Sequence, residues 1–163
     1  MENKKILVVY YSKSGNTERV AKNIARRLNA DMEKIIDKKN RGGLIGFITG
    51  GRDAMKKKTT EIGATDLDPA VYDLIIMGTP VWASDMVPAV RTYLAQNKEK
   101  IKSLAFFETS GNTAPEKIAV SFEEAFGKKC LALAGLTAQE LKDEKVCQEK
   151  IAAFADTVNN VGN

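Results

Sequence analysis

Histidine is absent from this chain, cysteine occurs twice and tryptophan once. Without imidazole there is no Ser-His-Asp or Cys-His nucleophile, no histidine acid or base, and no histidine-rich metal site. Two cysteines cannot build a zinc cage or a four-cysteine iron–sulfur cluster. No metal site is therefore expected, and redox chemistry would have to be carried by an organic cofactor. A large excess of either charge is also lacking: 25 Lys and Arg stand against 21 Asp and Glu, a net of +4. The densest basic run is Lys56-Lys57-Lys58, and no recognisable reading module accompanies it, so nucleic acid is not an expected partner. No apolar run approaches the ~18–20 residues of a membrane span. The apolar run that follows Met1-Glu2-Asn3-Lys4-Lys5 is too short for a leader peptide, and the expected location is cytoplasmic. Cys130 and Cys147 sit in apolar surroundings and read as reduced structural thiols.

The 163 residues that remain to be explained are 44% apolar and 28% charged, which suits one domain spanning residues 1–163. Ile6–Tyr10 is a continuous β-rich apolar run, the pattern of a strand buried on both faces. Thr17, Val20, Ala21, Ile24, Ala25 and Leu28 recur at helical spacing and predict a helix over Asn16–Leu28. Further strands are predicted at Met32–Ile36, Val71–Met77, Leu104–Phe107 and Cys130–Ala134. Helices are predicted around Val87–Leu94, around Ile118–Phe126 and over Ala138–Asn159. Five strands alternating with helices imply an α/β domain with a five-stranded parallel sheet, doubly wound, in the order 2-1-3-4-5. Ligands of that architecture bind beyond the carboxyl ends of the strands, at the switch point between the first and third.

One segment falls outside the minimal pattern. Five glycines lie within residues 42–51, around the apolar cluster Leu44, Ile45, Phe47 and Ile48. This is either the crossover helix between the second and third strands, loosened at Gly50-Gly51, or a mobile flap or interface near the ligand.

Three loops fall at the ligand edge. After the first strand comes Ser12-Lys13-Ser14-Gly15-Asn16-Thr17, opening directly into a helix. A helix N-terminus offers unpaired N–H groups and positive potential, the hydroxyls and amide add donors, and Gly15 permits close backbone approach. An anion site and plain capping by Ser14 or Asn16 are both open on this pattern. Neither G-x-x-x-x-G-K-S/T nor G-x-G-x-x-G is present. The third strand runs into Gly78-Thr79-Pro80-Val81-Trp82, placing the single Trp where a large aromatic can stack on a planar ring or close the top of the core. The loop after the fourth strand, Thr109-Ser110-Gly111-Asn112-Thr113, is small and rich in backbone hydrogen-bonding groups.

Taken together these loops resemble those of the flavodoxin family. Ser12–Thr17 is similar to its phosphate loop, Ser/Thr-x-Ser/Thr-Gly-Asn-Thr. Gly78–Trp82 resembles the aromatic flavin-flanking loop of short members, and Thr109–Thr113 falls where the third flavin loop lies. The resemblance implies a flavodoxin-like fold and flavin mononucleotide (FMN) as cofactor. It implies that Ser12, Ser14, Gly15, Asn16 and Thr17 hold the phosphate. Pro80, Val81 and Trp82 would flank the isoalloxazine, with Thr79 and Ala83 beside them, and Ser110, Gly111 and Asn112 would lie near its polar edge after Thr109. The function implied is electron transfer, with no catalytic side chain. The alternative is an FMN-dependent NAD(P)H:quinone-type oxidoreductase with room for nicotinamide beneath residues 42–58. A third reading is an interaction module that keeps the fold without the cofactor. Typical flavodoxins are acidic, whereas this chain is basic, so the expected partner is a redox protein, acidic in character, or a small electron acceptor. Monomer and homodimer are both compatible with the sequence. Typical members also place a Gly beside the flavin N5; here Ala83-Ser84-Asp85 follows Trp82, and alanine adopts positive φ only at a cost.

Overall fold

The structure is a computed structural model describing residues 4–161; Met1–Asn3, part of the N-terminal stretch read above as no leader peptide, lie outside the described residues. The elements in chain order are β1 (Ile6–Tyr10), α1 (Asn16–Leu28), β2 (Asp31–Lys34), α2 (Gly43–Met55), β3 (Leu74–Trp82) and β4 (Asp85–Met86). They continue with α3 (Pro88–Asn97), β5 (Leu104–Ser110), α4 (Pro115–Phe126), β6 (Leu133–Thr137) and α5 (Glu144–Asn160). Five strands pair in parallel in the order β2-β1-β3-β5-β6, and the two-residue β4 folds back antiparallel on β3. Setting β4 aside, this is the 2-1-3-4-5 order expected from the sequence.

Alternation along the central strands divides the core in two. Leu7, Val9, Ile75, Met77 and Phe106 face Val90, Tyr93, Ile118 and Phe122 of α3 and α4. Ile6, Val8, Leu74, Ile76 and Phe107 face Val20, Ile24, Ile151 and Phe154 of α1 and α5. Phe106 and Phe122 stack with ring centroids 4.4 Å apart. Strands covered on both faces have no polar side to alternate with, which is why they read as unbroken apolar runs.

Several boundaries differ from the sequence reading. Val71 belongs to a short 3-10 turn, Pro69–Val71, whose Asp68 side chain accepts from the Ala70 N–H. β3 then runs on past Gly78 because Thr79 and Pro80 continue the ladder opposite Glu108 and Thr109. For the same reason β5 reaches Ser110 instead of ending at Phe107. β2 ends at Lys34, two residues early, although Ile35 N–H still donates to the Tyr10 carbonyl. The last strand begins at Leu133 instead of Cys130. Residues 130–132 approach β5 through only two bonds, Leu131 N–H to Leu104 O and Phe106 N–H to Ala132 O, before regular pairing sets in at Phe106 opposite Leu133. The final helix starts at Glu144, because Asp143 caps it by accepting from the N–H groups of Lys145 and Val146.

The glycine-rich segment is a helix, and its glycines explain how it docks. Gly46, Gly50, Asp53 and Ala54 form the buried face of α2, while Leu44, Ile45, Phe47, Ile48 and Met55 point outward. A methyl group on Gly46 would stand 2.2 Å from the Arg41 carbonyl carbon, so only glycine admits that approach. Arg41 itself is buried and clamps the segment, with Nη1 2.7 Å from Asp53 and Nε 3.1 Å from Asp37. Lys39 and Arg41 hold the Asp53 carboxyl down to about 2.

Candidate functional site

Three loops meet at the carboxyl ends of β1, β3 and β5. At the first, Gly15 takes the left-handed conformation at φ 95° and serves as the N-cap of α1. No side chain caps this helix, so the capping reading of Ser14 and Asn16 does not hold. Ser12 Oγ instead accepts from the Gly15 N–H at 3.1 Å and closes the turn. The N-terminus of α1 is thus left open for an external acceptor, at the positive end of a thirteen-residue helix.

Ser14 and Asn16 line a cleft of about 220 Å³ together with Pro80, Val81, Thr109, Ser110 and Gly111. No charged side chain lines it, so an anion there would meet no repelling carboxylate among the described residues. Its far wall is Ala138 and Leu141, which the sequence had placed inside the last helix. Their signal was weak because residues 138–143 have helical composition and are diverted only by the Asp143 cap. Thr17 is buried beneath the cleft, and its hydroxyl lies 2.9 Å from that of Thr109. Loops one and three are therefore joined directly across the top of the sheet. Ser110 Oγ accepts from the Thr113 N–H at 3.0 Å, leaving Gly111 and Asn112 exposed at the tip.

Other predicted positions lie apart from this cleft. Thr79 is fully buried, and its hydroxyl serves Pro80 O at 2.7 Å and the Val87 N–H at 3.3 Å. Trp82 and Ala83 line a second, apolar groove of about 420 Å³ with Phe47, Ile48, Gly51, Arg52 and Met55 of α2. Val81 borders both cavities. The Trp82 ring stands edge-on to Tyr11 with centroids 5.7 Å apart, and Lys13 Nζ lies 5.8 Å from its centre. Gly50 leaves the space the indole needs, since a methyl there would sit 3.0 Å from the ring.

The turn after Trp82 is a two-residue hairpin, with Val81 opposite Met86 and Trp82 opposite Asp85. Its central residues, Ala83 at φ 49° and Ser84 at φ 62°, both take the left-handed conformation without being glycine. Alanine thus adopts here the backbone that the sequence reading held against it. A buried pair holds the turn, Arg91 Nη2 to Asp85 Oδ2 at 2.8 Å, and Asp85 Oδ1 accepts from the Met86 N–H. Neither partner stood out in the sequence, since Asp85 looks like an ordinary loop acid. An Ala83→Gly variant is expected to gain about 1 kcal/mol in urea unfolding, because left-handed backbone costs an L-residue roughly that much.

Burial pushes the Cys130 thiol up to about 12 and raises that of Cys147, so neither is a nucleophile at neutral pH. Among the described residues, no three acidic, cysteine or histidine side chains cluster as a metal site would need, and no helix is long and apolar enough to cross a membrane.

Comparison with known proteins follows the same lines. The sequence matches the flavodoxin family over residues 5–157. Among solved structures, a flavoprotein from Lactobacillus acidophilus in complex with FMN is 27% identical, with a TM-score of 0.71 over 81% of this chain and 93% of its own. A protein from Bacteroides eggerthii superposes with a TM-score of 0.74 at 22% identity, covering 94% and 99% of the two chains. A flavodoxin, WrbA-like protein from Agrobacterium tumefaciens gives 0.54 at 17% identity, over 96% and 98%. No protein with a curated function matches the sequence.

Proposed function

We propose, because this chain belongs to the flavodoxin family, that it is an FMN-binding electron-transfer protein built as one flavodoxin-like domain. The observation that carries this reading is the uncapped N-terminus of α1 opening on a cleft shared with the third loop. The donor set fits the cofactor: backbone N–H groups, two hydroxyls and an amide for a phosphate, with apolar and aromatic side chains for a flat ring. FMN, once bound, supplies the acceptance and return of one or two electrons.

The chain's own residues bind, orient and shelter. Ser14, Gly15, Asn16 and Thr17 surround the phosphate, with Ser12 fixing the turn that presents them. Pro80, Val81 and Trp82 flank the ring, supported by Thr79 beneath and by Ala83 in the turn. Thr109, Ser110, Gly111 and Asn112 offer backbone and side-chain partners to its polar edge. No side chain serves as acid or base, and the carrier works in the cytoplasm with a protein partner. Titrating the FMN-free protein into FMN and following loss of flavin fluorescence tests the reading directly. Riboflavin, which lacks the phosphate, should bind at least about a hundredfold more weakly, given the charge-assisted bonds it forgoes.

A Trp82→Ala variant is expected to bind FMN about ten- to hundredfold more weakly, since it loses both buried aromatic area and ring contact. Unchanged affinity in the same fluorescence titration would remove Trp82 from the site.

A second reading, an FMN-dependent NAD(P)H:quinone-type oxidoreductase, is favoured by one observation, the groove of about 420 Å³ between α2 and the Trp82 turn. Its volume lies in the range of small-molecule sites. Sustained oxidation of NADH or NADPH by a quinone in the presence of FMN-loaded protein would decide for it. No turnover with either nucleotide decides for the carrier.

A further inference from the structure

Helix α2 is built inside out. An amphipathic surface helix buries its large apolar residues and shows its polar ones. Here glycines and Ala54 make the inner face, while Leu44, Ile45, Phe47 and Ile48 are each 59–79% exposed along successive turns. Four large apolar side chains presented together form the kind of contiguous patch that marks an interaction site. The patch continues into the groove beside Trp82, so it borders the loop that flanks the ring.

Charge decides what fits there. Residues 38–58 carry seven Lys and Arg against one Asp, which exceeds the net charge of the whole chain, +4, and leaves the remainder net acidic. Lys39 and Arg41 are engaged with Asp53, Lys38 with Glu61 and Lys57 with Glu124. Arg52 and Lys56 are exposed and make no ion pair among the described residues, and Lys13 adds a cation over the Trp82 ring. A second copy docking face to face would bring these cations against one another. A lipid surface could take up Leu44 and Ile45 but would leave unfilled the groove that Phe47 and Ile48 form with Trp82. A protein that presents an apolar side chain ringed by carboxylates satisfies both the hollow and the charge.

We propose that the outward face of α2 and the groove beside Trp82 form the docking surface for an acidic protein partner. This rests on the carrier reading, and names where the electron-exchange partner sits. A second consequence is steering: a localised cationic rim raises the rate of encounter with an acidic partner and loses its effect as salt rises.

The test uses a plant-type two-iron ferredoxin as the acidic probe and cytochrome c as its basic counterpart, with binding measured by sedimentation velocity and calorimetry. Both FMN-loaded and FMN-free protein are used. Ferredoxin should bind, weaken about tenfold or more between low salt and about 0.5 M salt, and lose a further tenfold or so in Ile45→Ser and Phe47→Ser variants. Lys56→Glu should weaken it further, and cytochrome c should not bind. Circular dichroism and FMN affinity, both expected unchanged in these variants, confirm that the fold persists. Four outcomes overturn the proposal: no association with ferredoxin; equal or tighter binding of cytochrome c; a dimer of the protein alone that Phe47→Ser dissolves; or Phe47-dependent capture by phosphatidylglycerol vesicles in preference to ferredoxin. Failure of the carrier reading shows separately, as absence of FMN binding while ferredoxin still docks through α2.

Discussion

A Glu108→Gln variant is expected to be more stable than the parent protein by about 3 kcal/mol near pH 8, the gain shrinking below about 1 kcal/mol near pH 5. Glu108 lies on β5 between Thr79 and Gly135 in the ladder, is 0% exposed, and has no hydrogen-bond partner for either carboxylate oxygen. Gly135 makes room for it, since a methyl there would stand 2.4 Å from Glu108 Oε1. Burial pushes its carboxyl up to about 7, against the opposing pulls of the Ser110 hydroxyl and Lys150, with Glu140 and Glu116 adding to the rise. The folded state therefore holds a proton that the unfolded chain has already released between about pH 4.5 and pH 7. Stability falls as pH rises through that window and levels off above it. Glutamine never releases the proton, so its stability profile should be flat there. Urea unfolding of the FMN-free protein at several pH values reads this directly; parallel profiles for the two proteins would show that Glu108 is solvated or paired.

Gly46→Ala should destabilise by about 3 kcal/mol or more, although alanine favours an exposed helix by roughly 1 kcal/mol over glycine. The sign is diagnostic. The new methyl would stand 2.2 Å from the Arg41 carbonyl carbon and 2.4 Å from its oxygen, backbone atoms that cannot rotate aside. Helix α2 must lift, which draws Asp53 away from buried Arg41 and leaves a charge pair broken. The same displacement withdraws Gly50 from the Trp82 ring, so emission from the protein's single Trp should shift together with stability. Unchanged stability and emission would mean that α2 docks elsewhere.

These two sites mark what the sequence could and could not disclose. Ile6–Tyr10 and Asn16–Leu28 are legible to the residue, because a doubly covered strand reads as an unbroken apolar run and an amphipathic helix imposes a 3.6-residue period. The turn Ser12–Gly15 is legible as a donor-rich segment opening a helix, and α1 does begin at Asn16 without a side-chain cap. The last strand was displaced by three residues, because Cys130–Ala134 is apolar without alternation and nothing local says where pairing with β5 begins. The glycines of α2 argued both for and against a helix. What decided it is the contact of Gly46 with the Arg41 backbone and the Arg41 clamp, which are tertiary facts. Trp82, expected in a loop beyond the third strand, is instead the last residue of β3; its attachment to α2 through Gly50 has no sequence signal, and neither has the buried Asp85–Arg91 pair.

The hydroxyl bridge between Thr17 and Thr109 bears on entropy. Loops that wait disordered for a ligand surrender their freedom at the moment of binding, and affinity falls by that amount. Here Thr109 of the cleft wall and Thr17 just behind it, 92 residues apart in the chain, are fastened to one another by the fold's own side chains. The cost of bringing them together is met during folding, so little rearrangement at this junction should accompany ligand entry.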